Sequence, residues 1–313
     1  HPQELSAAEP VAIDPQTPSV VYGGVNSVTG GLFKSVDGGA TWSATGCTGI
    51  GIPSLAMRPD GAILIAGGGG SYDSTRRGTF LSTDGAATCP RASHGISAFN
   101  VVALAAAGTL YMGDSDTGTQ RTSDGGVTWS DASQGLIGSQ RQVHGLVVDP
   151  ATPSTVYQTS GNTLEDTAWK STDSGDSWVL MRGPRPLFES MAIDRIDPTH
   201  VFLGVGRFTL FPRPIDFPAS IDRTVDAGST WASALPFVDH VYALAVDPTD
   251  SLRVYAGTNS GVLRSTDGGI TFVPIGSGIP AAQPVIALVV DPNNTSILYV
   301  LAFVMAGQGI AEL

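Results

Sequence analysis

One octapeptide constrains this chain more than any other feature in it. It reads Ser35-Val-Asp37-Gly-Gly39-Ala-Thr41-Trp42 and returns five more times, over Ser82–Cys89, Thr122–Trp129, Ser171–Trp178, Thr224–Trp231 and Ser265–Phe272. The shared pattern is Ser/Thr-x-Asp-x-Gly-x-Thr-aromatic, with single departures such as Ala86, Ser177 and Cys89. Flanked by apolar runs, such a segment is a hairpin turn. The Asp carboxylate accepts hydrogen bonds from turn amides, glycine supplies a positive φ, and the aromatic packs back on the hairpin. Asp37, Asp84, Asp124, Asp173, Asp226 and Asp267 are therefore read as turn-holding groups and not as catalytic ones.

A second motif alternates with the first. An apolar strand ends in Asp-Pro, and a short turn leads to another apolar strand. It is clearest in Val11-Ala-Ile-Asp14-Pro15, Leu146-Val-Val-Asp149-Pro150, Leu244-Ala-Val-Asp247-Pro248 and Leu288-Val-Val-Asp291-Pro292, each followed by Val-Tyr or Leu-Tyr. With degenerate copies at Leu55, Leu104 and Met191 the motif recurs seven times, about 45 residues apart. Each unit then holds four strands, named a to d from the channel outward. Strands a and b flank the Asp-Pro turn, and c and d flank the octapeptide.

This pattern predicts an all-β fold: a seven-bladed β-propeller with four-stranded antiparallel blades, one domain over 1–313. Blades are expected to start near 11, 54, 101, 145, 190, 243 and 287. Only six octapeptides accompany the seven a–b pairs, so the last blade lacks a strand d. Residues 1–10 resemble a strand d exit and are expected to supply the closing strand, which would also cover a sheet edge. The 39 glycines, 21 prolines and 14% charged residues suit many short strands and turns.

Charge excludes some partners. The net charge is -12 and Lys34 and Lys170 are the only lysines, so neither nucleic acid nor anionic lipid is an expected partner. No apolar run is long enough for a membrane span, so no membrane insertion is expected. The chain opens on His1-Pro2, which fits a processed mature end or an artificial boundary. Abundant Ser, Thr, Gly and Asp with little Lys point to a secreted bacterial protein, extracellular or periplasmic. The two cysteines have no metal-type spacing, and no metal or cofactor is expected. Cys89 stands at the aromatic position of its octapeptide, five residues from Trp42 stands Cys47, and both fall on strand d of adjacent blades. Two readings are open: a disulfide in an oxidising compartment, or two separate buried thiols, since outer strands diverge.

Across its whole length the chain resembles bacterial BNR/Asp-box propellers of the sortilin-like and sialidase-like superfamily. The phrases Gly-Leu-Phe-Lys-Ser-Val-Asp-Gly-Gly-Ala-Thr-Trp (31–42) and Ala-Val-Asp-Pro-Thr-Asp (245–250) carry the likeness. That superfamily includes sialidases, xyloglucan-specific glucanases, sortilin and photosystem II assembly factors, so the resemblance implies a fold and leaves the activity open. Sialidases need an arginine triad preceded by an Arg-Ile-Pro-type start, whereas the first arginine here is Arg58. Xyloglucanases use two propellers flanking a cleft, and one is read here. The assembly factors carry a basic patch that this chain lacks, and sortilin adds cysteine-rich modules.

Propellers bind ligands at the mouth of the central channel, on the face of the d–a and b–c loops. Two residues before the leading apolar residue of each strand a stand Glu9, Pro53, Val102, His144, Glu189, Tyr242 and Ile286. Equivalent positions form a ring, so His144, Glu189 and Tyr242 belong side by side, with Arg141 and His240 near. These are the candidate catalytic residues (Glu189, Tyr242, His144) and, with Arg141, His240, Arg207 and Arg213, the candidate ligand-binding set. Such a cluster can do acid/base work, activate Tyr242, bind a ligand without turnover, or form a buried hydrogen-bond network. Two b–c loops break the repeat, 67–78 and 207–218, the second rich in aromatics and arginine. Asp114, Asp116, Glu165 and Asp166 lack the spacing of a calcium loop and are read as solvated surface.

Two functions follow. The first is a secreted binding or scaffolding propeller that recognises a protein or a glycan through its loop face. The second is a carbohydrate-active enzyme, a glycoside hydrolase or polysaccharide lyase, acting at the channel mouth. A hydrolase needs two carboxylates about 5–10 Å apart. Glu9 and Glu189 are the nearest candidates in the ring, but they lie on opposite sides of the channel.

Overall fold

The computed structural model describes residues 11–27, 30–58, 60–67, 78–92, 101–104, 109–114, 117–126, 128–162, 165–185, 187–210, 215–234, 238, 240–276, 283–302 and 309–312. They form an all-β propeller of antiparallel sheets. The inner strands pack in series: Val11–Ile13 on Ser54–Met57, then Val101–Leu104, Val143–Val148, Phe188–Ile193, Val241–Asp247 and Val285–Val290, which returns to Val11–Ile13. The sheets thus close into a ring.

The second strand of each sheet is clamped between neighbouring blades, and its sequence shows it. Ile63–Gly67, Val156–Ser160, Val201–Val205 and Leu298–Ala302 are buried at every residue, where a half-exposed strand would alternate. The cores accordingly lie between sheets. Tyr22 and Leu32 of one sheet meet Ile63, Ile65 and Phe80 of the next, and Phe202 and Ile221 meet Val241, Leu244 and Val254. Each fully buried Ile or Leu there contributes about 2 kcal/mol of transfer free energy. Small residues let the blades approach: a Cβ on Gly113 would collide with Val143. The recurrent strand-b tyrosine has a second use. Tyr111 and Tyr157 donate their hydroxyls to the carbonyls of Pro153 and Pro198 (3.3 and 3.5 Å), each in the Asp-Pro turn of the following blade. Burial, and secondarily the Asp149 carboxylate, pushes the Tyr157 phenol up to about 12.

The octapeptides form tight turns of one design. In the first, Asp37 accepts from Ser35 Oγ (2.7 Å), the Thr41 amide (2.8 Å) and Thr41 Oγ1 (2.5 Å), while the Gly39 amide donates to Ser35 Oγ. The same bonds recur around Asp84, Asp124, Asp173, Asp226 and Asp267. They favour the charged form. The Thr41, Thr88 and Thr230 hydroxyls, and that of Ser177, hold Asp37, Asp84, Asp226 and Asp173 down to about 2. The turn takes two successive residues at positive φ and not one. They are Gly38 and Gly39 in the first copy, but Ser174 (64°) and Ala227 (56°) hold the earlier position elsewhere and Ala86 (70°) the later one.

The closing tryptophans stitch the turns to the ring. Trp178 Nε1 donates to the Ala132 carbonyl (2.9 Å) and Trp231 Nε1 to that of Met181 (3.1 Å), both in the outer segment of the preceding blade. Cys89 occupies that tryptophan position, and it makes a disulfide with Cys47 of the preceding blade's outer strand, Cα–Cα 5.4 Å. Of the two readings of the cysteines, the bonded one is the structure's.

The expectation of seven four-stranded blades is corrected. Six blades follow the four-position plan: five as complete four-stranded sheets, and the sixth, Ser54–Met57 with Ile63–Gly67 and Gly78–Ser82, as three strands plus the lone bridge Phe80–Arg91. The sheet of Val285–Val290, Leu298–Ala302 and Gly309–Glu312 has three strands among the described residues. Residues 1–10, to which the sequence reading gave its closing strand, lie outside the described residues. In the Ser54–Met57 sheet the octapeptide turn forms, but the chain beyond it is tied by the Cys89 disulfide to the preceding blade and pairs with Gly78–Ser82 only at Phe80–Arg91.

Candidate functional site

Four consecutive inner strands, three of them with a candidate as second residue, carry the same irregularity. Pairing with the second strand slips between Val143 and Gly145, between Phe188 and Ser190, between Val241 and Ala243, and between Val285 and Ala287. The extra residues are His144, Glu189, Tyr242 and Ile286, the positions that the repeat alignment treats as equivalent. A β-bulge leaves one residue out of the ladder and re-aims its side chain. Here it does so on consecutive blades at the loop-face end of the inner strands.

Three of the candidates meet. Glu189 Oε1 lies 2.7 Å from His240 Nδ1, and Glu189 Oε2 accepts the Val241 amide at 3.1 Å. The His240 ring stacks on Tyr242, with centroids 5.2 Å apart and planes within 3°. The Glu189 side chain is 17% exposed and that of His240 32%, so the pair lies at the surface of the channel mouth. Gly206, just past strand Val201–Val205, makes room for the carboxyl group: a Cβ there would lie 2.7 Å from Glu189 Cδ and Oε1.

His144 stands elsewhere. Its Nδ1 faces Asp166 Oδ2 at 3.5 Å, and Asp166 in turn accepts the Phe188 amide at 2.9 Å. Asp166 is buried, which corrects its reading as solvated surface. As the first residue of strand Asp166–Ser171 it is carried under the loop face by the sheet. The sequence offered one signal for it: of the seven equivalent strands five open on glycine, whereas Ser220–Thr224 opens on serine and this one on Asp-Thr.

Arg141 does not join the cluster. It ends the 3₁₀ turn Gly138–Arg141, and its guanidinium is taken by the Thr117 carbonyl (2.6 Å) and Asp131 (3.0 Å) of the preceding blade. Arg207 follows Gly206 and is exposed. The 207–218 insertion forms a two-stranded ribbon, Phe208–Leu210 with Ile215–Phe217; Arg213 lies outside the described residues, as do Glu9, Asp116 and most of the loop 67–78. Among the described residues no group of three metal-ligating side chains assembles, and no helix is long and apolar enough to cross a membrane.

The site therefore holds two carboxylate–imidazole pairs, each carboxylate bonded to the first amide of the next blade's inner strand, beside a stacked His–Tyr surface. Such groups can exchange protons and bind hydroxyls, and a flat ring pair can support a sugar or an aromatic group.

No family model matches the chain. Among curated proteins, a xyloglucanase of Acetivibrio thermocellus is 35% identical over 100 residues, 28% of this chain and 12% of the relative. Among solved structures, the GH74 enzyme of Niastella koreensis superposes with a TM-score of 0.74 at 18% identity, covering 98% of this chain and 52% of that one. The GH74 xyloglucanase of Xanthomonas campestris gives 0.71 at 19%, covering 98% and 54%. YCF48 bound to a peptide gives 0.69 at 16%, covering 98% and 92%. The chain thus spans about half the length of the GH74 structures, and these likenesses establish the β-propeller fold.

Proposed function

We propose that this chain is a carbohydrate-active propeller that engages a β-glucan, with xyloglucan as the first ligand to test, across its loop face. The observation that carries this reading is the stretch of 35% identity to a xyloglucanase, in a chain whose fold matches half of a GH74 enzyme. The chemistry of the cluster agrees with it. The parallel rings of His240 and Tyr242 offer a platform for a pyranose ring, and Glu189 and His240 beside them bind hydroxyls or move a proton. Glu189 is the acid/base group of this reading. Because the chain spans half of these relatives, it forms one wall of the glycan cleft, and full turnover calls for a second propeller.

The test is calorimetric titration of soluble xyloglucan, with reducing-end release measured in parallel. Binding weakened about tenfold by Glu189→Gln and by Tyr242→Phe supports the reading, since each removes roughly one hydrogen bond. Absence of binding to every β-glucan tried overturns it. One observation favours a second reading, a protein or peptide ligand on the same face: YCF48, of one-propeller length, is matched over 92% of its chain. The six Ser/Thr-x-Asp turns fit BNR/Asp-box repeats, and the Cys47–Cys89 disulfide fits an extracellular or periplasmic location. Susceptibility of the protein to added protease in intact and in broken cells checks that location.

A further inference from the structure

We propose that Asp166 is a positioning residue for His144, and that the two form a second hydroxyl-binding subsite next to Glu189 and His240. The inference rests on the glycan reading above and adds a residue to it. Asp166 has a side chain only 2% exposed, and its Oδ2 is committed to the Phe188 amide while facing His144 Nδ1. Its Oδ1 is buried with no hydrogen-bond partner. Burying a carboxylate with one bare oxygen is costly, and such a group is retained where it acts on a neighbour. The neighbour is His144, whose side chain is 34% exposed.

A carboxylate behind Nδ1 keeps the ring proton on that nitrogen. Nε2, on the opposite side of the imidazole, is left with a lone pair for a ligand hydroxyl. Glu189 and His240 repeat the plan: the carboxylate takes the first amide of the next inner strand, here Val241, and the imidazole Nδ1 faces it. The two pairs differ in one respect. His144 shares a blade with its carboxylate, whereas His240 comes from the blade after that of Glu189. Three successive blades thus present two oriented imidazoles on the loop face. Gly161 protects the arrangement, because a Cβ there would lie 2.7 Å from Asp166 Oδ1.

The experiment has two arms, and the first needs no ligand. Nitrogen-15 NMR of the histidine rings reports the His144 tautomer. At a pH where the imidazole is neutral, the expected result is the proton on Nδ1 in the wild type, and loss of that preference in Asp166→Asn. In the second arm, soluble xyloglucan is titrated into the wild type, His144→Gln, Asp166→Asn and the double variant. Each single change is expected to weaken binding about tenfold, the worth of one hydrogen bond, and the double change to weaken it no further. An unchanged tautomer in Asp166→Asn overturns the positioning role, and full affinity in His144→Gln overturns the subsite. If the wild type binds no glycan, the functional reading fails, and the first arm still decides whether Asp166 orients His144. Should Asp166→Asn not fold, the tautomer of the wild type and the affinity of His144→Gln decide.

Discussion

The disulfide gives the prediction with the best-defined magnitude. Cys47 and Cys89 close a loop with a sequence separation of 42. Chain-entropy reasoning for a loop of that length gives about 4 kcal/mol of stabilisation at room temperature. For a chain of 313 residues unfolding as one unit, that corresponds to about 6 °C in melting temperature. The perturbation is Cys47→Ala with Cys89→Ala, compared with the oxidised wild type by differential scanning calorimetry. A second variant asks why a disulfide stands there. Trp178 and Trp231 stitch their turns to the preceding blade from the position that Cys89 occupies. Cys47→Ala with Cys89→Trp should therefore recover part of the loss. A double alanine variant that melts within about 1 °C of the wild type would mean that the bond does not restrain the unfolded chain.

Three further outcomes are expected. Asp37, Asp84, Asp173 and Asp226 are held at about 2 in the fold, chiefly by the neighbouring Thr or Ser hydroxyls, and sit near the ordinary carboxylate value when unfolded. Their contribution is complete above that ordinary value and is lost as pH falls through about 2, so circular dichroism should show acid unfolding there, and Thr41→Val with Thr88→Val should move it to higher pH. Gly206→Ala should push the Glu189 carboxyl from His240, lowering stability by about 1–3 kcal/mol in urea melts and weakening xyloglucan binding as Glu189→Gln does. Asp222 is buried and accepts Arg182 Nε and Nη2 at 3.0 and 2.7 Å across a blade interface. Asp222→Ala leaves that guanidinium without its partner and should cost about 3 kcal/mol in the same assay.

Much of the ring was legible in the sequence because each turn is a local device. An octapeptide carries the Asp, the hydroxyl and the small residue that its hairpin needs, so the hairpin follows wherever the pattern stands. The equivalence of His144, Glu189, Tyr242 and Ile286 was legible for the same reason, although the bulge that makes these residues special leaves no mark in a single strand. What failed depends on contacts between blades. Arg141 is near the cluster in sequence, but the 3₁₀ turn directs it to Asp131 and Thr117. Asp166 looks like half of an exposed acidic pair until the following blade covers it and donates the Phe188 amide. The cysteines were ambiguous because diverging outer strands argued against a bond, whereas the backbones meet at that seam: the Gly46 amide donates to the Ala86 carbonyl at 2.9 Å. The uniform four-stranded plan failed at the Ser54–Met57 sheet, whose fourth position holds only the Phe80–Arg91 bridge, and at the Val285–Val290 sheet, which has three strands among the described residues.

The glycan reading places the ligand on the face that carries the inner-strand bulges. The most direct measurement is a crystal structure of the chain soaked with a xyloglucan oligosaccharide. Sugar density is expected over the starts of strands Val143–Val148, Phe188–Ile193 and Val241–Asp247, with a ring against His240 and Tyr242 and a hydroxyl at His144. Density confined to the opposite face, among the Ser/Thr-x-Asp turns, would contradict it.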